Sequence, residues 1–214
     1  MKTKILFLVM ILTGVMSVSA KKIKVTIDGK TYPNQSRLYM IVNEDTANAQ
    51  LIPIQNGQFS VTLKVDNNAF IRLHEYKDWP ERSVFVLIPD SKHITIDWNT
   101  GNITGSEKSN QLSVVTHFIR DLDADNFHID VFSDRKEDWD RAREKGQMIR
   151  NQMQMKQRDV IVESMRENVD NDIPAWLYFC YHNRIEDIPI EAITIGKNPK
   201  WLHHKVMDVL RSRK

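Results

Sequence analysis

Three aspartates, Asp121, Asp123 and Asp125, alternate along the chain as the first oxygen ligands of a calcium-binding loop do. The next residue is Asn126, where such a loop normally needs glycine for a sharp turn. The twelfth position, which normally supplies a bidentate glutamate, is Phe132. The sequence therefore leaves two interpretations open, a weak calcium site or the acidic, solvated end of a helix.

The motifs that could carry catalysis are incomplete. Three residues separate Gly101 from Gly105, where a phosphate-binding loop has four, and Lys108 comes too late to reach a phosphate. Cys180 is the only cysteine, so the chain can form neither an internal disulfide nor the Cys-x-x-Cys pair used in thiol-disulfide exchange. No serine lies in a Gly-x-Ser-x-Gly elbow. We therefore predict a non-enzymatic protein without a cofactor, and we assign no catalytic or metal-binding residue.

An aromatic segment is the first candidate for an interaction surface. Tyr76 and Trp79 stand among charged residues in the stretch from 74 to 82, outside any clear strand. Aromatic side chains in such a setting stack on sugars or anchor a protein partner. The alternative is that both rings fold back on the sheet, because large aromatic side chains are usually well buried.

A methionine-rich segment is the second candidate. Its apolar residues recur every seven positions, which is the spacing of a packed helical seam; they are Met148, Met155, Val162 and Val169. Such a stripe is usually interior. The alternative is an exposed side of the helix, where the flexible side chains of Met148 and Met155 would suit an adaptable interaction surface.

Two regions must position these residues, because the period of the apolar residues changes near Gly105. Before it, apolar and polar residues alternate, as they do in half-buried strands. After it, apolar residues recur at the spacing of amphipathic helices. The sequence thus predicts an α+β protein, with an N-terminal antiparallel β-sandwich or curled sheet at 21–105. The sequence also predicts a C-terminal α-helical region at 106–214, which either packs on the β-rich domain or follows it.

The turns and caps predict how the elements connect. Asn56 and Gly57 suit a type I′ hairpin, which needs positive φ at both central residues, and they would pair a strand ending near Gln55 with one beginning at Gln58. Ser106 is a candidate N-cap for a helix of roughly twenty residues. Strands are predicted at 22–27, 36–43, 49–54, 58–65, 69–75, 82–88 and 93–98, and further helices at 134–169, 173–183 and 200–211.

The chain opens with the pattern of a cleavable signal peptide. Lys2 and Lys4 precede an apolar run at 5–15, and small residues at 18–20 form the cleavage site. The run is too short to span a bilayer, which takes ~20 apolar residues in a helix. We therefore predict that residues 1–20 are removed and that the mature protein begins at Lys21. It would be periplasmic or extracellular, soluble, and without an integral membrane segment after cleavage.

Cleavage changes the charge balance of the protein. Removing Lys2 and Lys4 reduces the 30 basic residues to 28, which equals the 28 acidic residues. Nucleic-acid-binding proteins need a concentrated basic face to release counterions. The sequence therefore gives no electrostatic case for a nucleic-acid partner.

Several short motifs occur together in a familiar arrangement. They are Ile27-Asp28-Gly29, Leu38-Tyr39, Gly57-x-Phe59, Phe85-x-Leu87-x-Pro89, Ile94-x-Ile96 and Gly105-Ser106-x-x-x-Asn110. In combination they resemble the N-terminal domain of unknown function that precedes thioredoxin-like thiol-disulfide oxidoreductases exported by Gram-negative bacteria. The helical remainder, with Asn198-Pro199, is similar to the connector before the thioredoxin domain. The usual glycine after the strand-exit proline is Asp90 here.

The resemblance implies a β-rich exported module with helices attached, whose own role in the family is unassigned. The chain is expected to stop where the thioredoxin domain of the family would start, so the catalytic chemistry of the family carries over to no residue. We expect an exported accessory or protein-interaction module whose partner is another exported protein. A carbohydrate-binding module of the cell envelope, using Tyr76 and Trp79, is the alternative, and an unrecognised hydrolase is the third. The sequence predicts no oligomeric state.

Overall fold

The computed structural model describes residues 21–75, 85–127 and 136–212. Within them, two four-stranded sheets are followed by five α-helices, which confirms the predicted α+β class. The predicted signal peptide at 1–20 lies outside the described residues. None of the described helices is long and apolar enough to cross a membrane.

The two sheets interleave along the chain. The first sheet has the order β4-β1-β7-β8 and consists of β1 (Lys22–Lys30), β4 (Gln58–Asp66), β7 (His93–Asp97) and β8 (Asn102–Thr104). The second sheet has the order β3-β2-β5-β6 and consists of β2 (Tyr39–Val42), β3 (Gln50–Leu51), β5 (Ile71–His74) and β6 (Phe85–Leu87). One pairing departs from the predicted antiparallel arrangement, because β1 and β7 run parallel with Thr26 opposite His93. A parallel pair needs a long crossover, and here the strands of the second sheet lie between β1 and β7 in the sequence.

The second sheet has an apolar core on each of its faces. Ile71 and Leu73 of β5 share one core with residues of the first sheet, so the two sheets form a sandwich. Because side chains alternate across a strand, Phe70 and Val86 point to the other side and join the core of the helical region. This explains why residues 85–88 form a continuous apolar run, as expected for a strand covered on both faces.

The Asn56-Gly57 turn is confirmed, but the strands that it was predicted to pair are not. Both residues have positive φ, and Gln55 and Gln58 exchange backbone hydrogen bonds across the turn. The pairing ends there, because β3 belongs to the second sheet and β4 to the first. Pro53 lies between β3 and the turn and has no N–H for a ladder, which is consistent with the chain leaving one sheet for the other at this point.

The helical region begins at the predicted cap. Ser106 Oγ accepts a hydrogen bond from the backbone N–H of Ser109 at 3.1 Å, which is the geometry of an N-cap. The same hydroxyl donates to the carbonyl of Ile88, so the cap also holds the helix against the end of β6. The helices are α1 (Glu107–Phe127), α2 (Lys136–Glu167), α3 (Ile173–Tyr181), α4 (Ile190–Thr194) and α5 (Lys205–Ser212). The sequence did not reveal α4, because five residues are too few to show a helical period.

Candidate functional site

The predicted seam on α2 is buried at only one end. Val162 lies in the helical core and Val169 follows the end of α2, and each is 5% exposed, whereas Met148 and Met155 are each 63% exposed. The prediction of a packed seam is therefore wrong for the two methionines. The reason is the position of α3 and α4, which pack against the C-terminal half of α2, where its fully buried residues are concentrated.

Met148 and Met155 share one side of α2, since seven residues are close to two helical turns. The residues one turn away on that side are exposed and polar; they are Glu144, Gln152 and Asp159. We call Met148, Met155 and Gln152 the methionine surface. An apolar centre inside a polar rim is the usual anatomy of a protein–protein interface.

A second exposed apolar pair lies on α1. Val114 is 63% exposed and Phe118, one turn further on, is 41% exposed. The ammonium of Lys156 lies over the ring of Phe118, 5.9 Å from its centroid. A cation at this distance is attracted to the ring face, so the chain itself covers part of this pair. Both methionines of the methionine surface are 63% exposed, a larger fraction than that of Phe118.

The aspartates of the candidate calcium loop lie inside α1, not in a loop. Asp123 accepts hydrogen bonds from both terminal nitrogens of Arg184, at 3.1 and 3.0 Å, and from Nε2 of Gln157 at 2.8 Å. Residues two apart on a helix point to different sides, so Asp121 and Asp123 do not converge on one ion. The side chain of Asp125 lies outside the described part of the structure. Within the described part, no group of three or more His, Cys, Asp or Glu residues could hold a metal ion.

A buried ion pair was missed by the sequence analysis. Arg72 of β5 donates from Nε to Oε1 of Glu44 at 2.7 Å and from a terminal nitrogen to Oε2 at 3.1 Å, and the two side chains are 0% and 1% exposed. Asn43 and Glu44 both have positive φ, and Asn43 is held there by hydrogen bonds to the backbone of Phe70. Glu44 looks like an ordinary loop acid in the sequence, so only the fold shows that it meets an arginine 28 residues away.

His204 joins the helical region to the sandwich. Its Nε2 donates to the carbonyl of Asn68, and its Nδ1 accepts a hydrogen bond from the backbone N–H of Val206 at 3.2 Å. Its ring also packs on Phe70, with 4.5 Å between centroids. One nitrogen donates and the other accepts, so the geometry fits the neutral imidazole.

Acid should weaken this contact of His204 between the helical region and the sandwich. Burial lowers the pKa of His204, and the hydrogen bond to Asn68 opposes that shift only in part. The neutral ring therefore stabilises the folded protein fully above the unfolded pKa of about 6.5, and this contribution is lost as pH falls through the lowered pKa of the folded state. We expect the free energy of unfolding to fall below pH 6.5 by at most about 1.4 kcal/mol per pH unit from this group.

Urea titrations at several pH values measure that dependence. In His204→Gln the acid-dependent part of the stability should shrink, while His203→Asn, at the exposed neighbouring histidine, should keep it. An unchanged pH dependence in His204→Gln would show that other groups cause it.

The fold and these sites define the class of protein as a two-sheet β region joined to a helical core, with an exposed methionine surface on α2. Comparison of the chain with protein-family models, curated proteins and solved structures finds no match. The resemblance to the domain ahead of exported thioredoxin-like oxidoreductases thus stays a prediction. Tyr76 and Trp79 lie outside the described residues, and their proposed role in binding also stays a prediction.

Proposed function

We propose that the protein is an exported, non-enzymatic accessory module that docks onto another exported protein, and that it is related to the N-terminal part of thioredoxin-like redox proteins. One observation carries the docking proposal. The stripe that is buried at Val162 continues into solvent at Met155 and Met148, on the same side of α2. A partner that covers these two methionines would extend the packing that the chain already begins.

The energetics favour such a partner. Burying a methionine side chain contributes about 1.5–3 kcal/mol relative to leaving it in water. Isolated apolar residues on a surface are common, but these two are aligned and polar residues surround them. Flexible thioethers also adapt their shape to a partner, so the methionine surface is suited to a non-obligate complex.

Photo-cross-linking tests the proposal in the organism that produces the protein. A benzophenone amino acid at position 152, between the two methionines, should capture one predominant exported protein. Replacing both methionines, Met148→Glu with Met155→Glu, should lower the yield of that adduct at least tenfold, because two carboxylates would have to be buried in the interface. After export, the mass of the protein itself, as distinct from its partner, should correspond to a chain that begins at Lys21.

The matched control adds the same two charges on another side of α2. Gln147→Glu with Gln154→Glu should leave the yield of the adduct unchanged, and both double variants should unfold at the same temperature as the parent because all four positions are exposed. The docking proposal is wrong if no specific adduct forms, or if the two double variants lose it equally.

A further inference from the structure

An open cleft lies at one end of the sandwich, where β1 ends and β4 begins. Its volume is about 450 Å³, which falls within the ~300–1,000 Å³ of small-molecule sites. The polar side chains that line it are those of Lys30, Thr31, Gln35, Asn56, Gln58 and Asn99, and Pro33 and Ile54 add apolar surface. The cleft is far along the chain from the methionine surface and involves none of its residues.

Backbone hydrogen bonds fix the walls of this cleft. The N–H of Thr31 donates to the carbonyl of Gly57 at 2.8 Å, and the N–H of Trp98 donates to the carbonyl of Lys30 at 2.9 Å. The Asn56-Gly57 turn is closed on both sides by hydrogen bonds between Gln55 and Gln58. The lining side chains therefore project from a preformed frame, which lowers the entropic cost of binding.

Among the described residues, the lining is rich in carboxamides and contains no acid. Each Asn or Gln side chain offers an acceptor oxygen and two N–H donors, which is the combination that neighbouring hydroxyl groups of a sugar can satisfy at once. Lys30 adds one positive charge, so the lining tolerates a neutral ligand and attracts an acidic one.

Gln35 supplies the most specific feature. Its Nε2 donates to the carbonyl of Arg37 at 3.3 Å, whereas its Oε1 is buried and has no hydrogen-bond partner among the described residues. A buried acceptor without a partner costs about 1–3 kcal/mol. Gln35 lines the cleft, so a ligand hydroxyl that reaches this oxygen as the side chain turns would remove that cost.

An exposed aromatic residue is the chain neighbour of two lining residues. Tyr32 lies between Thr31 and Pro33 in the chain and is 48% exposed. A half-exposed ring with a polar tip can pack on the apolar face of a pyranose while its hydroxyl stays in water. We propose that the cleft is a saccharide-binding site that takes a neutral or acidic mono- or disaccharide. This site is separate from the docking surface proposed above.

A glycan array carrying neutral and uronic-acid-containing glycans, followed by calorimetry with the best soluble glycan, tests the site. Gln35→Met removes the buried acceptor at similar volume and should weaken binding at least tenfold. Asn99→Ala and Gln58→Ala, at exposed positions where folding is not at risk, should each weaken it at least threefold. The matched control, Asn102→Ala on β8, removes an exposed carboxamide outside the cleft and should bind as the parent does.

The Met148→Glu and Met155→Glu double variant should also bind the glycan like the parent, so this test and the docking test can fail independently. The saccharide proposal is overturned if no glycan binds at millimolar concentration, or if the cleft variants bind as tightly as Asn102→Ala. It is also overturned if acetate competes as well as the acidic sugar, because Lys30 would then be recognising a carboxylate alone.

Discussion

Replacing Glu44 with alanine should lower the free energy of unfolding by about 3–5 kcal/mol. Arg72 is buried, and the carboxylate of Glu44 neutralises it through two hydrogen bonds. Taking away the carboxylate removes two charge-assisted hydrogen bonds from a buried guanidinium, and breaking a buried pair in this way is strongly destabilising. Chemical denaturation followed by far-UV circular dichroism measures the loss.

An exposed ion pair provides the control. Lys197 and Asp170 are 2.9 Å apart, but their side chains are 50% and 80% exposed. Lys197→Ala should therefore cost no more than about 1 kcal/mol. Adding Arg72→Met to Glu44→Ala should recover part of the loss, because an apolar side chain then replaces the buried guanidinium that has lost the carboxylate of Glu44. Equal losses in the two single variants would mean that burial does not set the contribution of the pair between Arg72 and Glu44.

This ion pair illustrates what a sequence pattern leaves undetermined. The alternation of apolar residues indicates that 69–75 is a strand and which residues share a face. The alternation does not specify which strands are neighbours. It therefore could not predict that β1 pairs with β7 in parallel, or that β3 and β4 belong to different sheets. Long-range partners such as Glu44 and Arg72 depend on that missing information.

Local signals were more informative. The Asn56-Gly57 turn and the Ser106 cap each depend on the φ preference or hydrogen bonding of a few adjacent residues, and both are present. The methionine surface shows the limit of such signals. Heptad spacing indicates that residues share one side of a helix, but the length of that side that is covered depends on where α3 and α4 pack.

The saccharide cleft could not have been recognised from the sequence for a related reason. Its lining comes from three separate segments of the chain, at 30–35, 54–58 and around Asn99, and the polar residues in them are of common types. Tyr76 and Trp79 drew attention because they are aromatic residues among charges, a signal that is visible locally. The carboxamides of the cleft become a candidate site only when the first sheet brings them together.

A substitution at Gly105, which connects the β-rich region to the helical region, should destabilise the protein about as much as Glu44→Ala. This residue has a φ of +83°, and an added Cβ would lie against the carbonyl of His93, with its carbon at 3.3 Å and its oxygen closer still. Gly105→Ala should therefore lower the free energy of unfolding by about 2–5 kcal/mol, the sum of ~1–2 kcal/mol for the left-handed backbone and ~1–3 kcal/mol for the steric conflict. Thermal and chemical denaturation measure the change.

Gly196 allows the two contributions to be separated. It has a φ of +68°, but no heavy atom lies within 4 Å of the position that its Cβ would occupy. Gly196→Ala should therefore cost only the backbone contribution, about 1–2 kcal/mol. The difference between their losses in free energy of unfolding measures the steric conflict with β7. The backbone of β7 cannot move without disturbing its pairing with β1.

Gly105 immediately precedes the Ser106 cap, so Gly105→Ala should also loosen the start of α1, seen as faster amide exchange at Ser109. Equal losses at Gly105 and Gly196 would show that β7 and β8 can separate enough to accommodate a methyl group.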